Sequence, residues 1–121
     1  MTYEWVILDT ETTGLTPPIY VVEVAAQRMV GTEPDGEPFS CLINHDIEIP
    51  DAASRIHGYT RDILERDGLS PKEAHKALRE FVGDRFVVAY NLPYDWDDVL
   101  VEEWRRLGIE QVGRRGFCAL R

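Results

Sequence analysis

The chain has 121 residues, 44% hydrophobic and 29% charged, with 13 basic against 22 acidic residues and a formal net charge of −9. These values describe one globular domain spanning 1–121; they exclude a disordered or fibrous chain, and also a clamp that grips phosphates through Lys and Arg, since such binding draws on counterions released by basic residues. No run approaches the roughly 18 apolar residues of a membrane span, the N-terminus lacks the basic residues of a secretion signal, and Cys41 and Cys118 form neither a CxxC nor a zinc spacing, so the expected protein is cytoplasmic with buried thiols.

In chain order, the apolar runs Trp5 to Leu8 and Tyr20 to Ala26 predict strands, and their continuity predicts burial on both faces. The segment Gly31-Thr-Glu-Pro-Asp-Gly-Glu-Pro38 has turn composition, so Tyr20 to Val30 and Phe39 to Asn44 are expected to form an antiparallel hairpin. Short helices follow at Asp51 to Arg55 and at Arg61 to Arg66, the latter with Thr60 as N-cap. A longer helix has Ser70 as cap, Pro71 in the first position, Glu73 completing a capping box and Gly83 just past its end, with Ala74, Ala77, Leu78 and Phe81 on the core face. His45 and His75 read as surface residues. Phe86 to Tyr90 predicts a third strand, also buried on both faces. From about Tyr94 to Leu107, Trp96, Val99, Leu100, Trp104 and Leu107 share one side of a helix, with acids early and Arg105 and Arg106 late, as the helix dipole favours. After Gly108 and a loop, Gly116 to Leu120 predicts a last strand. The fold class is α/β, with Trp5 to Leu8 and Phe86 to Tyr90 parallel through a crossover.

Ten Asp and twelve Glu give about one Asp-x-Glu by chance, and the chain has three. Asp35/Glu37 lies in the turn and Asp46/Glu48 in a polar loop, both reading as solvated surface. Asp9/Glu11 instead follows an apparently central strand at its carboxyl end, where open α/β sheets place ligands. A period of two puts both carboxylates on one face, and a divalent cation relieves their repulsion. Asp95, after the parallel strand Phe86 to Tyr90, reaches the same sheet edge. Three carboxylates without His or Cys describe a site for Mg2+ or Mn2+, and the metal then brings the positive charge that an acidic chain needs to meet nucleic acid. Asp97 and Asp98 read as solvated charge.

Asp9-Thr-Glu-Thr-Thr-Gly-Leu15, Ile56-His-Gly-Tyr-Thr60 and Tyr90-Asn-Leu-Pro-Tyr-Asp95, in this order and spacing, resemble the successive motifs of the DnaQ-like, or DEDD, 3′-to-5′ exonuclease family over essentially the whole chain. The resemblance implies a ribonuclease H-like fold, a mixed five-stranded sheet flanked by helices. It implies hydrolysis of the terminal phosphodiester of single-stranded DNA or RNA 3′ ends with two metal ions, Asp9, Glu11 and Asp95 being three of four acidic ligands. One ion would lower the pKa of the attacking water and the other would stabilise the leaving oxygen, the pair about 4 Å apart. By position, Thr12, Thr13, Gly14 and Leu15 match the segment beside the terminal nucleotide, where backbone amides meet the 3′ hydroxyl and an apolar side chain wedges against the base. His57 matches a loop near the nucleotide, and Asn91 and Tyr94 match positions that support the site and contact substrate.

The family's last motif, His or Tyr followed by the fourth acidic ligand on a C-terminal helix, has no counterpart up to Arg121. His57/Asp62 precedes the Asn91 to Asp95 motif instead of following it, and Tyr94/Asp98 shares that motif's helix, so neither replaces it. The expectation is therefore an exonuclease domain truncated at its C-terminus, weak or inactive as 121 residues. The rivals are a non-catalytic module that binds 3′ ends or a protein, with uncovered sheet surface favouring a homodimer or partner, and an endonuclease on the same fold. DNA and RNA are not distinguished, because no contact to a 2′ hydroxyl is identifiable.

Overall fold

The computed structural model describes residues 3–118. Strands β1 (Glu4–Thr12), β2 (Val21–Val30), β3 (Glu33–Pro34), β4 (Phe39–Leu42), β5 (Phe86–Ala89) and β6 (Arg114–Cys118) form one mixed sheet. Its order is β3-β2-β1-β5-β6, and β4 pairs with β2 beyond β3. The sheet is thus five strands wide, as expected, because β3 and β4 share one edge of β2; β3 is a short pairing of the predicted turn with Met29 and Val30. The hairpin of β2 and β4 is antiparallel, with Ala26 opposite Phe39 and Glu23 opposite Leu42. β1 and β5 are parallel, with Trp5 opposite Phe86 and Ile7 opposite Val88. The last strand begins two residues earlier than expected, and Ala119, Leu120 and the side chains of Phe117 and Cys118 lie outside the described residues.

Three helices follow, α1 (Asp51–His57), α2 (Arg61–Asp67) and α3 (Pro71–Val82), and the last two begin where their caps require. The Thr60 hydroxyl accepts from the Ile63 amide and the Ser70 hydroxyl from the Glu73 amide, with Pro71 in the first turn. The fourth helix, α4, has two parts, a π-helical stretch Pro93–Leu100 and an α-helical one Val101–Leu107. None of the helices is long and apolar enough to cross a membrane, among the described residues.

One sheet face packs against helices. Val6, Leu8, Val21, Val24 and Val87 there meet Leu78 and Val82 of α3 and Trp96, Leu100 and Trp104 of α4 in a single core. Burial on both faces holds in β5, where Val87, Val88 and Ala89 are all buried, but not along β1. Along β1, Val6, Leu8, Thr10 and Thr12 are buried, while Ile7 (39% exposed) and Asp9 face outward. The described helices cover only one face, so a period of two emerges from a run that is apolar on both sides. Cys41 is a free, half-buried thiol, its pKa pushed up to about 11 by burial and by the charge of Glu23.

Candidate active site

β1 does not stop at Leu8. It runs through Asp9, Thr10 and Glu11 to Thr12, paired with β2 (Asp9 opposite Ala25, Glu11 opposite Glu23), and its register slips between Glu11 and Thr12. The ladder holds the acidic segment in extended form, so alternation is strict. Asp9 and Glu11 project from the open face and Thr10 and Thr12 from the packed one. Because β5 is parallel to β1, the chain leaving β5 starts α4 at the same edge of the sheet.

Asp95 lies in the π-helical first part of α4, a form of helix found often at functional sites. It is only 5% exposed. The Thr10 hydroxyl donates to its Oδ1 at 2.6 Å, and its own amide donates to the Asn91 carbonyl at 2.9 Å. Burial pushes the Asp95 carboxyl above its usual range, and the charges of Asp9 and Glu11 push it further, while the bonds from Thr10 and Asn91 act the other way. The charges of Asp9 and Glu11 are thus felt at Asp95. No group of three or more His, Cys, Asp or Glu side chains is gathered tightly enough to hold a metal ion, among the described residues.

The turn after β1 is held from several sides. The Thr13 amide donates to the Tyr20 carbonyl and the Tyr20 amide to the Thr13 hydroxyl, both at 3.0 Å. The Gly14 amide donates to the Thr12 hydroxyl at 3.2 Å. The Tyr94 hydroxyl bonds the Thr12 hydroxyl at 2.7 Å and donates to the Gly14 carbonyl at 3.1 Å. The amides of Thr13 and Gly14, expected to meet a 3′ hydroxyl, are thus engaged within the turn. Gly14 has φ +131°, a backbone conformation that side chains disfavour although space around it is open. The turn leaves Leu15 80% exposed. His57 sits against this turn, its Nε2 3.1 Å from the Thr12 carbonyl.

Two groups of polar residues escape a reading of the sequence. Glu23 faces Glu11 across the ladder, and the Tyr59 hydroxyl donates to its Oε2 at 2.7 Å; an acid inside the apolar run Val21 to Ala26 is the signal that marks it. The second group is buried on the packed side. His75 is fully buried and the His45 side chain nearly so, correcting their expected exposure. Glu103, four residues after Val99 and thus in the apolar stripe of α4, hydrogen-bonds His75 Nε2, accepts from the Val21 amide at 2.9 Å and lies 3.4 Å from His45 Nε2. Trp104 Nε1 donates to His75 Nδ1 at 2.8 Å, which leaves the imidazole proton on Nε2, facing Glu103. Burial would raise the Glu103 carboxyl, but its bonds to His45 and His75 prevail and bring it down to about 2. The expected surface acids behave as such: Asp46 and Glu48 are exposed and held by Arg61 at 2.8 and 2.9 Å, and Asp98 is exposed.

Residues 6–115 match the model of the RNase_T exonuclease family. The DNA polymerase III subunit epsilon of Rickettsia typhi is 36% identical over 92 residues, which cover 74% of this chain and 40% of that protein. A DNA polymerase III subunit epsilon-like protein of Rhodobacter capsulatus is 35% identical over 94 residues, covering 75% of this chain and 13% of its own length. The chain thus spans less than half the length of these relatives. Among solved structures, an exonuclease I from Methylocaldum szegediense superposes with a TM-score of 0.68 at 25% identity, covering 74% of this chain and 21% of that one. E. coli exonuclease I in complex with a 5cy-dT13 oligonucleotide superposes with a TM-score of 0.81 at 20% identity, covering 91% and 25%, a likeness of fold.

Proposed function

Because the chain belongs to the RNase_T exonuclease family, DnaQ-like with a ribonuclease H-like fold, we propose that it is the core of a metal-dependent 3′-to-5′ exonuclease domain acting on single-stranded DNA or RNA ends. The observation that carries the reading is the juxtaposition at one sheet edge: Asp95, at the start of α4, is raised first by its burial and further by the charges of Asp9 and Glu11 at the end of β1. The donor set is oxygen throughout and anionic, which suits a hard cation such as Mg2+ or Mn2+. Asp9, Glu11 and Asp95 are the residues that would hold it. When bound, the metal would supply a deprotonated water and charge stabilisation at the phosphate.

The chain's own residues do the rest. Thr10 orients the Asp95 carboxyl through its hydroxyl, and the ladder to β2 holds Asp9 and Glu11 extended on one face. Thr12, Thr13 and Gly14 form a rigid turn that presents Leu15 to the terminal base, and Asn91 anchors the first turn of α4 through its carbonyl. Tyr94 braces the turn with its hydroxyl, while its ring offers a stacking surface indifferent to base identity.

The test is degradation of a 5′-labelled single strand in Mn2+, beside an EDTA control and Asp9→Ala. Metal-dependent laddering that disappears in the variant supports the reading; laddering retained in full by Asp9→Ala sinks it, and products longer than mononucleotides point to an endonuclease. A second reading, a module that binds a 3′ end or a protein without cleaving, draws on the open sheet face. Tyr3 (69% exposed), Ile7 and Phe86 (40%) lie on that side, and Tyr3, Trp5, Phe86 and Val88 line a groove of about 610 Å³. Light scattering that shows a dimer, together with silence in the cleavage assay, favours it.

A further inference from the structure

His57 lies at the end of α1, and its two ring nitrogens have different partners. The Tyr59 amide donates to Nδ1 at 3.0 Å, so the lone pair is on Nδ1. The proton is then on Nε2, which donates to the Thr12 carbonyl at 3.1 Å. With its lone pair facing a backbone amide and its N–H facing a carbonyl, the neutral ring has no nitrogen left to take a proton from water or to bond a substrate.

The acceptor is placed where β1 needs support. The register to β2 slips between Glu11 and Thr12, and Thr12 opens the turn that ends in Leu15. A bulge loosens a ladder locally, and here an imidazole from outside the sheet ties it down. The segment that carries His57 is itself fixed. Gly58 is in the left-handed conformation with its amide on the Ser54 carbonyl at 2.7 Å, and the Ser54 hydroxyl donates to the Tyr59 carbonyl at 2.7 Å. The His57 and Tyr59 rings stack with centroids 5.3 Å apart. Tyr59 then reaches β2, donating its hydroxyl to Glu23, the residue opposite Glu11. Two carboxylates facing each other across a ladder repel, and the phenol compensates one of them. That hydrogen bond, with burial and the charges of Glu23 and Glu11, pushes the Tyr59 hydroxyl up to about 12, so it remains a donor.

We propose that His57 and Tyr59 are positioning residues: a strap from α1 that fastens the bulged end of β1, His57 through the Thr12 carbonyl and Tyr59 through Glu23, and so sets the Thr12–Leu15 turn and Glu11 for the reaction. The role rests on the exonuclease reading above, and it differs from the substrate contact that the sequence resemblance implies for His57.

The test compares His57→Ala with His57→Gln, whose amide can still donate to Thr12, and with Tyr59→Phe. Amide hydrogen exchange at Thr13, Gly14 and Leu15 reads the strap directly, whether or not the chain cleaves anything. His57→Ala is expected to speed that exchange at least about tenfold and to lower kcat for oligonucleotide cleavage about tenfold, the scale seen when a supporting contact is removed from a site. His57→Gln restores both, and neither limb of the pH–rate profile moves. Tyr59→Phe shifts exchange at Glu11 and Thr12 in the same direction. Unchanged exchange in His57→Ala overturns the strap. Equal loss of cleavage in Ala and Gln variants, with the turn still protected in both, overturns positioning in favour of direct contact. If the exchange contrast is present while the parent neither cleaves nor binds a single strand in Mn2+, the exonuclease reading has failed and the positioning role falls with it.

Discussion

Asp95 and Glu103 are buried carboxylates on the same helix, eight residues apart, and their acidities move in opposite directions. Asp95 has a hydroxyl and a backbone amide in its favour and two carboxylates against it, and its pKa is raised. Glu103 has the Val21 amide, His75 and His45, and its pKa is lowered despite deeper burial. Desolvation opposes the charge in both, so the partners decide. A buried acid whose charge is fully met is a structural tie, here joining α4 to α3 and β2. A buried acid whose charge is met only in part is one that a cation would stabilise.

The contrast breaks most readily at Glu103. Replacing it with alanine leaves His75 Nε2 and the Val21 amide without their acceptor, and is expected to cost about 3–5 kcal/mol, read from urea denaturation. The pH dependence follows from the lowered pKa: Glu103 contributes stability that is present above its unfolded value of 4.5 and lost as pH falls toward about 2. The acid-side slope of stability is therefore shallower in Glu103→Gln than in the parent, a difference measurable between pH 5 and 3.

Next in size is the response to metal. Mn2+ at a hundred times its Kd is expected to stabilise the folded chain by about 2.7 kcal/mol. A thermal melt with and without the ion checks this, and Asp95→Asn removes the shift.

Without metal, Asp95→Asn sharpens the comparison by its sign. A raised carboxyl pKa means that the folded state holds the proton more tightly, so stability is greatest below the unfolded pKa and declines as pH rises through the folded one. The asparagine variant is thus expected to be more stable than the parent at pH 7, by roughly 1 kcal/mol, the scale of single stabilising changes. A lower denaturation midpoint would contradict the assignment of Asp95 as an under-compensated charge. The smallest effect is expected from Thr10→Val, which removes the hydroxyl bond to Asp95. A loss of about 1 kcal/mol or less is expected, with a further upward shift of the Asp95 carboxyl followed by NMR titration.

Much of the frame was legible from local rules. The caps at Thr60 and Ser70, the parallel pairing of β1 with β5 and the hairpin of β2 with β4 follow from residue chemistry and apolar spacing. The motif Asp9 to Leu15 carried the resemblance, and the family match agrees with it. The extent of β1 was not legible, since Asp9 and Glu11 have little strand preference of their own and the segment is extended because β2 pairs with it. His75 was misread because a histidine next to Ala74 on a helix is placed by its partner, and that partner, Glu103, is 28 residues away.

The sequence by itself determined the alternation that puts Asp9 and Glu11 on one face, the turn chemistry of Gly14 and the apolar stripe that buries α4, because these depend on neighbours within a few residues. Tertiary structure alone decided which buried acids are neutralised and which are left opposed, which sheet face the helices cover, and that the nitrogens of His57 are spent on Thr12 and Tyr59. Charge compensation and hydrogen bonding act over a few ångströms of space, and only the folded chain brings β1, α1 and α4 within that distance.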